Sequence, residues 1–448
     1  MLKLSLNKEQ KIFIKDIKLL NDKRDFVQKL VFESLIRNSK NKKIIAALHV
    51  RAGKTRVSKL LIEGLNNNFT GKHLIICPTN IIKDEFKKFL SESNISNVII
   101  STYSGIFSNK FNREEEFLSI IYDEADFGVS SNKSILWTKC LDLKSRWKMC
   151  LSGTFEYDNL KLLENKGFDT MFTIDIDDGV LIGTLPSFDV YNLGVELTVE
   201  EKKKYTLLIS KSEEILKPYR QLFPVGNTAE YAISTITFGK QYIKIGDDVA
   251  TGDEWMQILM IHTKWQAGVL LGRKKNYNLY RTKMDDIVES STNKLKTINK
   301  IVEKFNNNKG IIFTTRTETC DTLESSNNNI ISYHAKSKEK DILDLFRTNV
   351  KRVIVSVNKL SRGFTESGID YAINSNYNSK QNNYTQKIGR ALSMSEETID
   401  KNPFIVNLYC KEYTENDIQI IPKDFKRLKK AQEGMLVDWI EEIEQITC

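Results

Sequence analysis

Long apolar runs are missing from this sequence of 448 residues. No stretch approaches the ~20 apolar residues that a bilayer span requires. Met1 to Asn7 carries no signal-peptide pattern, which predicts a protein that stays in the cytosol. Cysteine is sparse and scattered: Cys77, Cys140, Cys150, Cys320, Cys410 and Cys448 include no C-x-x-C pair, which favours reduced thiols over bridges or a zinc site. The four histidines stand apart from one another and argue against a metal cage. There is no true internal repeat; the Asn-Asn-Asn runs that start at Asn66, Asn306 and Asn327 read as polar loops.

Apolar residues make up 40% of the chain and charged ones 28%, the balance of a soluble globular protein with room for two or three domains. The formal net charge of +9 suits a polyanionic partner and equally suits a merely soluble surface.

The most informative stretch is Ile44 to Arg56, Ile-Ile-Ala-Ala-Leu-His-Val-Arg-Ala-Gly-Lys-Thr-Arg. Its apolar start does not alternate, so it predicts a short strand buried on both faces. Arg51, Ala52, Gly53, Lys54, Thr55 and Arg56 follow, and Val57 to Leu65 has helical spacing. Strand, glycine turn and helix N-terminus is a geometry that cradles phosphates, because free N–H groups and the helix dipole both favour an anion. Lys54 would reach the β- and γ-phosphates of ATP, and the Thr55 hydroxyl would hold Mg²⁺. The loop departs from the usual pattern at Leu48 and Arg51, where glycine is common.

A second apolar strand, Ser119 to Tyr122, delivers Asp123 and Glu124 to a strand end, where α/β proteins place their sites. Asp123 would hold Mg²⁺ and Glu124 would polarise the attacking water. Upstream, Leu4 to Asn38 reads as helical. Within it the amide of Gln28 has the donor and acceptor pair that adenine requires, and it reads as easily as a solvated helix residue. His73 to Asn80 and Val98 to Ser104 are strands ending in hydroxyls; Pro78, Thr79, Thr102 and Tyr103 become candidates for holding a nucleic-acid backbone. Met149 to Thr154 is another strand, ending in Ser152, Gly153 and Thr154.

In this order, Gly53-Lys54-Thr55, Asp123-Glu124-Ala125-Asp126 and Ser152-Gly153-Thr154 resemble motifs I, II and III of the superfamily 2 DExx-box helicases. The resemblance implies that the Ser152 to Thr154 element couples hydrolysis to nucleic-acid contact, and that Pro78-Thr79 and Thr102-Tyr103 lie at motifs Ia and Ib. The second half continues it. Ile311 to Thr315 resembles motif IV, with Thr314 facing nucleic acid; Ser356 and Leu360 to Gly363 resemble motif V, with Gly363 toward nucleotide; and Gln386 to Ala391 resembles motif VI, with Gln386 and Arg390 in catalysis. A guanidinium donated across a domain cleft would stabilise charge on the γ-phosphoryl oxygens. A second arginine is common three positions after the first, where this chain has Ser393.

Between the two halves, Glu200 to Leu222 reads as a charged amphipathic helix and Tyr231 to Gly246 as a β-hairpin, either a plain hairpin or a wedge between strands. Lys264 to Lys283 is basic, with Arg273, Lys274, Lys275 and Arg281 interleaved with aromatics; it reads equally as a nucleic-acid groove and as a solvated face. Phe425 to Ile446 reads as a terminal amphipathic helix.

The expectation is an α/β protein of two tandem RecA-like parallel-sheet domains, at 1–195 and 291–410, with a mainly helical insertion at 196–290 and a helical tail at 411–448. The resemblance implies an ATP- and Mg²⁺-dependent helicase or translocase on DNA, closest to Swi/Snf-like and phage recombination-helicase branches; the asparagine- and lysine-rich composition fits a phage or another AT-rich source. Two rivals stay open: an RNA helicase of the same superfamily, and an ATP-gated binding or packaging component with weak hydrolysis. Protein partners are undetermined, and a monomer is the simplest form.

Overall fold

The computed structural model describes residues 1–49, 51–93, 95–107, 111–126, 140–153, 155–222, 264–334, 339–357, 368–376, 381–433 and 435–446, with short pieces at 237–238, 243–245, 248–249, 337, 360 and 366. The side chains of 218–222, 237–249, 264–271, 339–341, 381–383 and 385–386 lie outside that description.

The first sheet has seven strands: β1 (Leu2–Ser5), β2 (Lys43–Leu48), β3 (His73–Cys77), β4 (Val98–Thr102), β5 (Phe117–Tyr122), β6 (Ser145–Ser152) and β7 (Thr170–Ile174), in the order β1-β7-β2-β6-β5-β3-β4. Every pairing is parallel. Along β2, Ile44, Ala46 and Leu48 join one apolar cluster while Ile45 and Ala47 join another. Both faces are therefore covered, which is why the strand reads as an unbroken apolar run. On one face pack α1 (Lys8–Asp16), α2 (Leu20–Asn38), α3 (Lys54–Asn66) and α4 (Asn80–Ser91), which place Ile14, Val31, Leu61 and Phe86 in the first cluster.

The second sheet is built the same way. After β8 (Asp189–Val195) come the short antiparallel strands β9 (Thr237–Phe238), β10 (Ile243–Ile245) and β11 (Asp248–Val249). Then follow β12 (Gly310–Thr314), β13 (Ile330–Tyr333), β14 (Val353–Val357), β15 (Tyr371–Asn374) and β16 (Phe404–Cys410). A hairpin of β17 (Tyr413–Glu415) and β18 (Ile418–Ile420) precedes β19 (Asp438–Ile440). The second sheet runs β13-β14-β12-β15-β16-β8-β19, again seven strands and all parallel. The two tandem RecA-like sheets expected from the sequence are thus present. Within the second lobe, after β8, the helices Val199–Leu222 and Lys264–Glu289 pack together through Tyr205, Met284 and Val288, against Val195, Cys410 and Ile420.

Buried polar residues lock the second lobe. Asn374 Nδ2 donates to Asn407 Oδ1 at 2.9 Å and Asn407 Nδ2 donates to Asn192 Oδ1 at 2.9 Å, a row across β15, β16 and β8. The fully buried Lys294 ammonium meets Asp424 Oδ2 at 2.6 Å and donates to the Ser375 carbonyl at 2.9 Å.

Three sequence expectations are corrected. The segment from Leu4 is not helical at its start: Leu2–Ser5 is an edge strand whose backbone pairs with β7, and the helices begin at Lys8. The stretch 189–195, assigned to the first domain by its expected bounds of 1–195, is β8 of the second sheet, where its seven residues pair in register with β16. The terminal helix ends at Ala431; Asp438–Ile440 instead adds a strand beside β8, and Leu436 faces solvent. The expected hairpin is seen only in part, as the antiparallel pairing of Thr237 and Phe238 with Lys244 and Ile243.

Among the described residues no helix is long and apolar enough to cross a membrane. Cys77, Cys140, Cys150, Cys320 and Cys410 are buried free thiols, each pushed above its ordinary range by burial.

Candidate active site in the cleft between the lobes

The carboxyl ends of β2, β6 and β5 lie side by side, so the loops that leave them converge. From β2 comes the phosphate loop. Gly53 caps α3 in the left-handed region, at φ 85°, and Arg51 before it has φ 71°. An ideal Cβ on Gly53 would stand 2.0 Å from Gln28 Nε2, so a side chain there would be strained and would push the glutamine aside. That amide donates to the Ala52 carbonyl at 3.1 Å and is buried. Gln28 therefore braces the phosphate loop from α2 through one of its N–H donors.

From β5 comes the acidic turn. Asp123 is buried, and its carboxyl is pushed up to about 7, first by burial and next by Glu124, against the pull of Lys54. Glu124 has φ 45°, an uncommon value for a residue with a side chain. Its Oε1 lies 3.2 Å from Lys54 Nζ. From β6, between the two, Ser152 Oγ donates to Asp126 Oδ1 at 2.7 Å, which ties the third motif to the second.

The other wall belongs to the second lobe. Arg390, near the end of helix Gln381–Ala391, reaches the same cavity of about 390 Å³ as Arg51, Gly53, Lys54, Thr55, Asp123 and Glu124. Burial lowers its affinity for the proton, and Glu124 and Glu85 oppose that shift. Arg51 is driven down to about 9, by burial first and then by repulsion from Arg390. Beside the cavity the lobes touch: the Asn21 amide donates to Glu396 Oε1 at 2.8 Å, and Arg24 donates to the Met394 carbonyl at 3.4 Å.

The sequence reading missed one wall entirely. Ile82, Glu85, Phe86 and Phe89 of α4 line the cavity. Their spacing was legible as one helix face, but that face also feeds the core, and spacing alone does not separate the two uses.

Other candidates fall elsewhere. Arg56 turns from the cavity toward Asp25, at 3.6 Å. Tyr103 is not a surface contact for nucleic acid: it is buried, and its hydroxyl donates to the Asp123 carbonyl at 3.0 Å, steadying the acidic turn. Thr314 and Ser356 are likewise buried, Thr314 donating to the Arg316 carbonyl at 3.0 Å, so neither hydroxyl is presented to a strand. Thr79 caps α4 through Ile82 N at 3.4 Å, beside Pro78, and Thr102 Oγ1 accepts from Gly105 N at 3.0 Å. Arg273 is exposed on the basic helix, Lys274 is half-buried and Tyr277 is buried, stacked with Arg281 at 5.6 Å. Gly153 is described at the end of β6; Thr154, Gly363 and the side chain of Gln386 lie outside the described residues.

These residues suit a magnesium nucleotide. Asp123 is a buried carboxyl crowded by Glu124 and Asp126, a crowding that a cation would relieve, and Thr55 supplies a hydroxyl in the same cavity. Among the described residues no group of three or more His, Cys, Asp or Glu could hold a metal alone, so a cation here would draw its remaining oxygens from phosphates and water, as Mg²⁺ does.

Two parallel sheets with a phosphate loop and an arginine facing each other across their cleft define a tandem RecA-like nucleotide-binding architecture. Residues 293–395 match the family model for the helicase conserved C-terminal domain. Among solved structures, the Pyrococcus furiosus Hef helicase domain is similar, with a TM-score of 0.50 at 14% identity, over 87% of this chain and 96% of that one. S. cerevisiae Dbp5 bound to RNA and ADP BeF3 gives 0.52 at 11% identity, over 95% of this chain and 94% of that one. Mss116p bound to ssRNA and AMP-PNP gives 0.54 at 14% identity, over 99% of this chain and 83% of that one. No curated protein matches the chain by sequence. The second lobe thus matches the helicase conserved C-terminal domain, and the two lobes together take a fold shared with these helicase structures.

Proposed function

We propose that the protein is an ATP-dependent helicase or translocase that acts on DNA. The observation that carries this reading is that Lys54 and Glu124 of one lobe and Arg390 of the other line a single cavity. A triphosphate seated on the loop competes with Glu124 for the Lys54 ammonium. Handing Lys54 to the phosphates leaves the Glu124 carboxylate to orient and polarise the attacking water. Arg390 meets the charge that builds on the γ-phosphoryl oxygens, which requires the lobes to be closed. When bound, Mg²⁺ held by Asp123 and Thr55 supplies neutralising charge at the β- and γ-oxygens. Hydrolysis removes the group that both lobes grip, so nucleotide state is coupled to lobe separation. The Ser152–Asp126 bond carries that coupling toward the strand ends where Pro78, Thr79 and Thr102 lie.

The preference for DNA rests on the motif pattern, namely the Arg51-bearing loop, the Leu-Ser-Gly-Thr element and the helical middle. A second reading, an RNA helicase, is favoured by the similarity to Dbp5 and Mss116p, whose structures contain RNA. ATP turnover measured with single-stranded DNA, duplex DNA and RNA, each at two salt concentrations, separates them. The proposal expects DNA to stimulate more than RNA and the stimulation to fall steeply with salt. Greater stimulation by RNA selects the second reading. Turnover that is absent in the parent, or unchanged in both Lys54→Ala and Glu124→Gln, overturns the enzyme.

A further inference from the structure

Among the described residues three cationic side chains line the cavity, and one of them has no role in the scheme above. Lys54 and Arg390 are accounted for; Arg51 is not. It sits within the phosphate loop, two residues before Gly53, in the left-handed backbone region. A side chain there is strained relative to an ordinary backbone conformation, a strain that glycine would avoid. Arg51 nevertheless stays half-buried at the cavity wall, close enough to Arg390 for the two guanidiniums to repel each other. Such repulsion is unfavourable unless anionic groups stand near both. Glu85, projecting into the cavity from α4, is one: its carboxylate acts on Arg51 and on Arg390 alike. A triphosphate on the loop would be another, of greater charge. Meanwhile Ser393, three residues after Arg390, is buried away from the cavity lining and carries no charge.

We propose that Arg51 is a second phosphate-facing arginine, supplied by the loop that holds the nucleotide and not by the opposite lobe, and that Glu85 is the carboxylate that phosphate oxygens displace from it. Two guanidiniums then converge on the terminal phosphate, Arg51 from its own lobe and Arg390 from across the cleft. The charge needed at the transition state is reached although position 393 is serine. Arg51 also spans the cleft electrostatically, so closing the lobes is opposed until phosphate charge arrives between the two arginines.

This inference rests on the ATP-hydrolysing reading, and its test keeps the two apart. Binding of a fluorescent ADP and of the same ADP with aluminium fluoride, a mimic of the transferring phosphoryl group, is measured on the full chain, together with its thermal unfolding. The parent should bind the fluoride complex more tightly than ADP alone. Arg51→Ala should keep ADP affinity within about 3-fold and lose most of that extra tightening, while ATP turnover falls about 10²-fold, the scale for removing one aligned donor. Arg51→Lys should recover only part of both, because an ammonium lacks the planar fork. Glu85→Gln, at an exposed position on α4, should tighten binding of the fluoride complex by removing a competitor for the arginines, with ADP affinity near parental. Arg51→Ala with parental discrimination between the two ligands and parental melting overturns the proposal. An Arg51→Ala protein that melts early is judged on Glu85→Gln, whose unchanged affinity for the fluoride complex overturns it equally. A parent that binds neither ligand, with Lys54→Ala no different, removes the hydrolysis reading itself.

Discussion

An alanine at position 53 would meet two obstacles whose sizes can be worked separately. The backbone there has φ 85°, a left-handed conformation that costs a side-chain-bearing residue about 1–2 kcal/mol. The new Cβ would also lie 2.0 Å from Gln28 Nε2 and 2.8 Å from Gln28 Cδ, so the buried glutamine must swing away. That forfeits its 3.1 Å bond to the Ala52 carbonyl, worth about 1 kcal/mol and up to about 3 if the amide stays buried without a partner. The sum is about 2–5 kcal/mol, or a fall of about 4–20 °C in the melting of the first lobe. Calorimetry on Gly53→Ala, Gln28→Ala and the double variant isolates the clash. Once Gln28 is truncated, alanine at 53 meets only the backbone cost, so the double variant should be more stable than the summed single effects by about 1–3 kcal/mol. Strict additivity, or a Gly53→Ala protein that melts and binds ADP like the parent, would refute this account of how the loop is braced.

The buried ion pair gives a sharper stability effect. Asp424→Ala leaves the fully buried Lys294 ammonium without its carboxylate and should cost about 3–5 kcal/mol in the second lobe, while Lys294→Met with Asp424→Leu recovers most of it; denaturant unfolding reads both. The His73 ring, buried on β3 between Ser119 Oγ at 2.7 Å and Asn66 Oδ1 at 3.0 Å, is pushed down to about 4 by burial. Its folded pKa lies below the unfolded value near 6.5, so the unfolded chain binds more protons between those limits and the first lobe should lose stability as pH falls from about 6.5 to 4. Melting temperatures across that window should fall less in His73→Gln. Ser152→Ala removes the bond to Asp126 and should leave nucleotide affinity near parental while lowering strand movement per ATP consumed; equal losses in both would contradict a coupling role.

The strands that read most clearly were those buried on both faces. β2, β3, β5, β12 and β14 show as apolar runs because helices cover each side of the sheet. β1 gave no such signal: its four residues lie at a sheet edge and are mostly exposed. The lobe to which β8 belongs could not be read locally, since its partner β16 lies far along the chain and pairing is not written in either strand alone. The tail misled because Leu428, Leu436, Trp439, Ile440 and Ile443 together suggest one apolar helix face although the helix stops at Ala431. At the site, Lys54, Asp123, Glu124 and Arg390 were legible because each stands in a short motif whose local geometry is self-determined. Glu85 and Phe86 were not, because only the packing of α4 turns them toward the cleft. Tyr103, Thr314 and Ser356 were assigned by their place in a motif, whereas burial decides which hydroxyls a strand can reach.

The central claim is that catalysis needs a lysine-bearing lobe and an arginine-bearing lobe around one triphosphate. Single-turnover ATP hydrolysis by Arg390→Ala, with ADP affinity measured alongside, tests it most directly. The account predicts turnover lower by about 10³-fold or more, with ADP affinity within about 3-fold of the parent. Parental turnover in Arg390→Ala, in a protein that still needs Lys54, would contradict it.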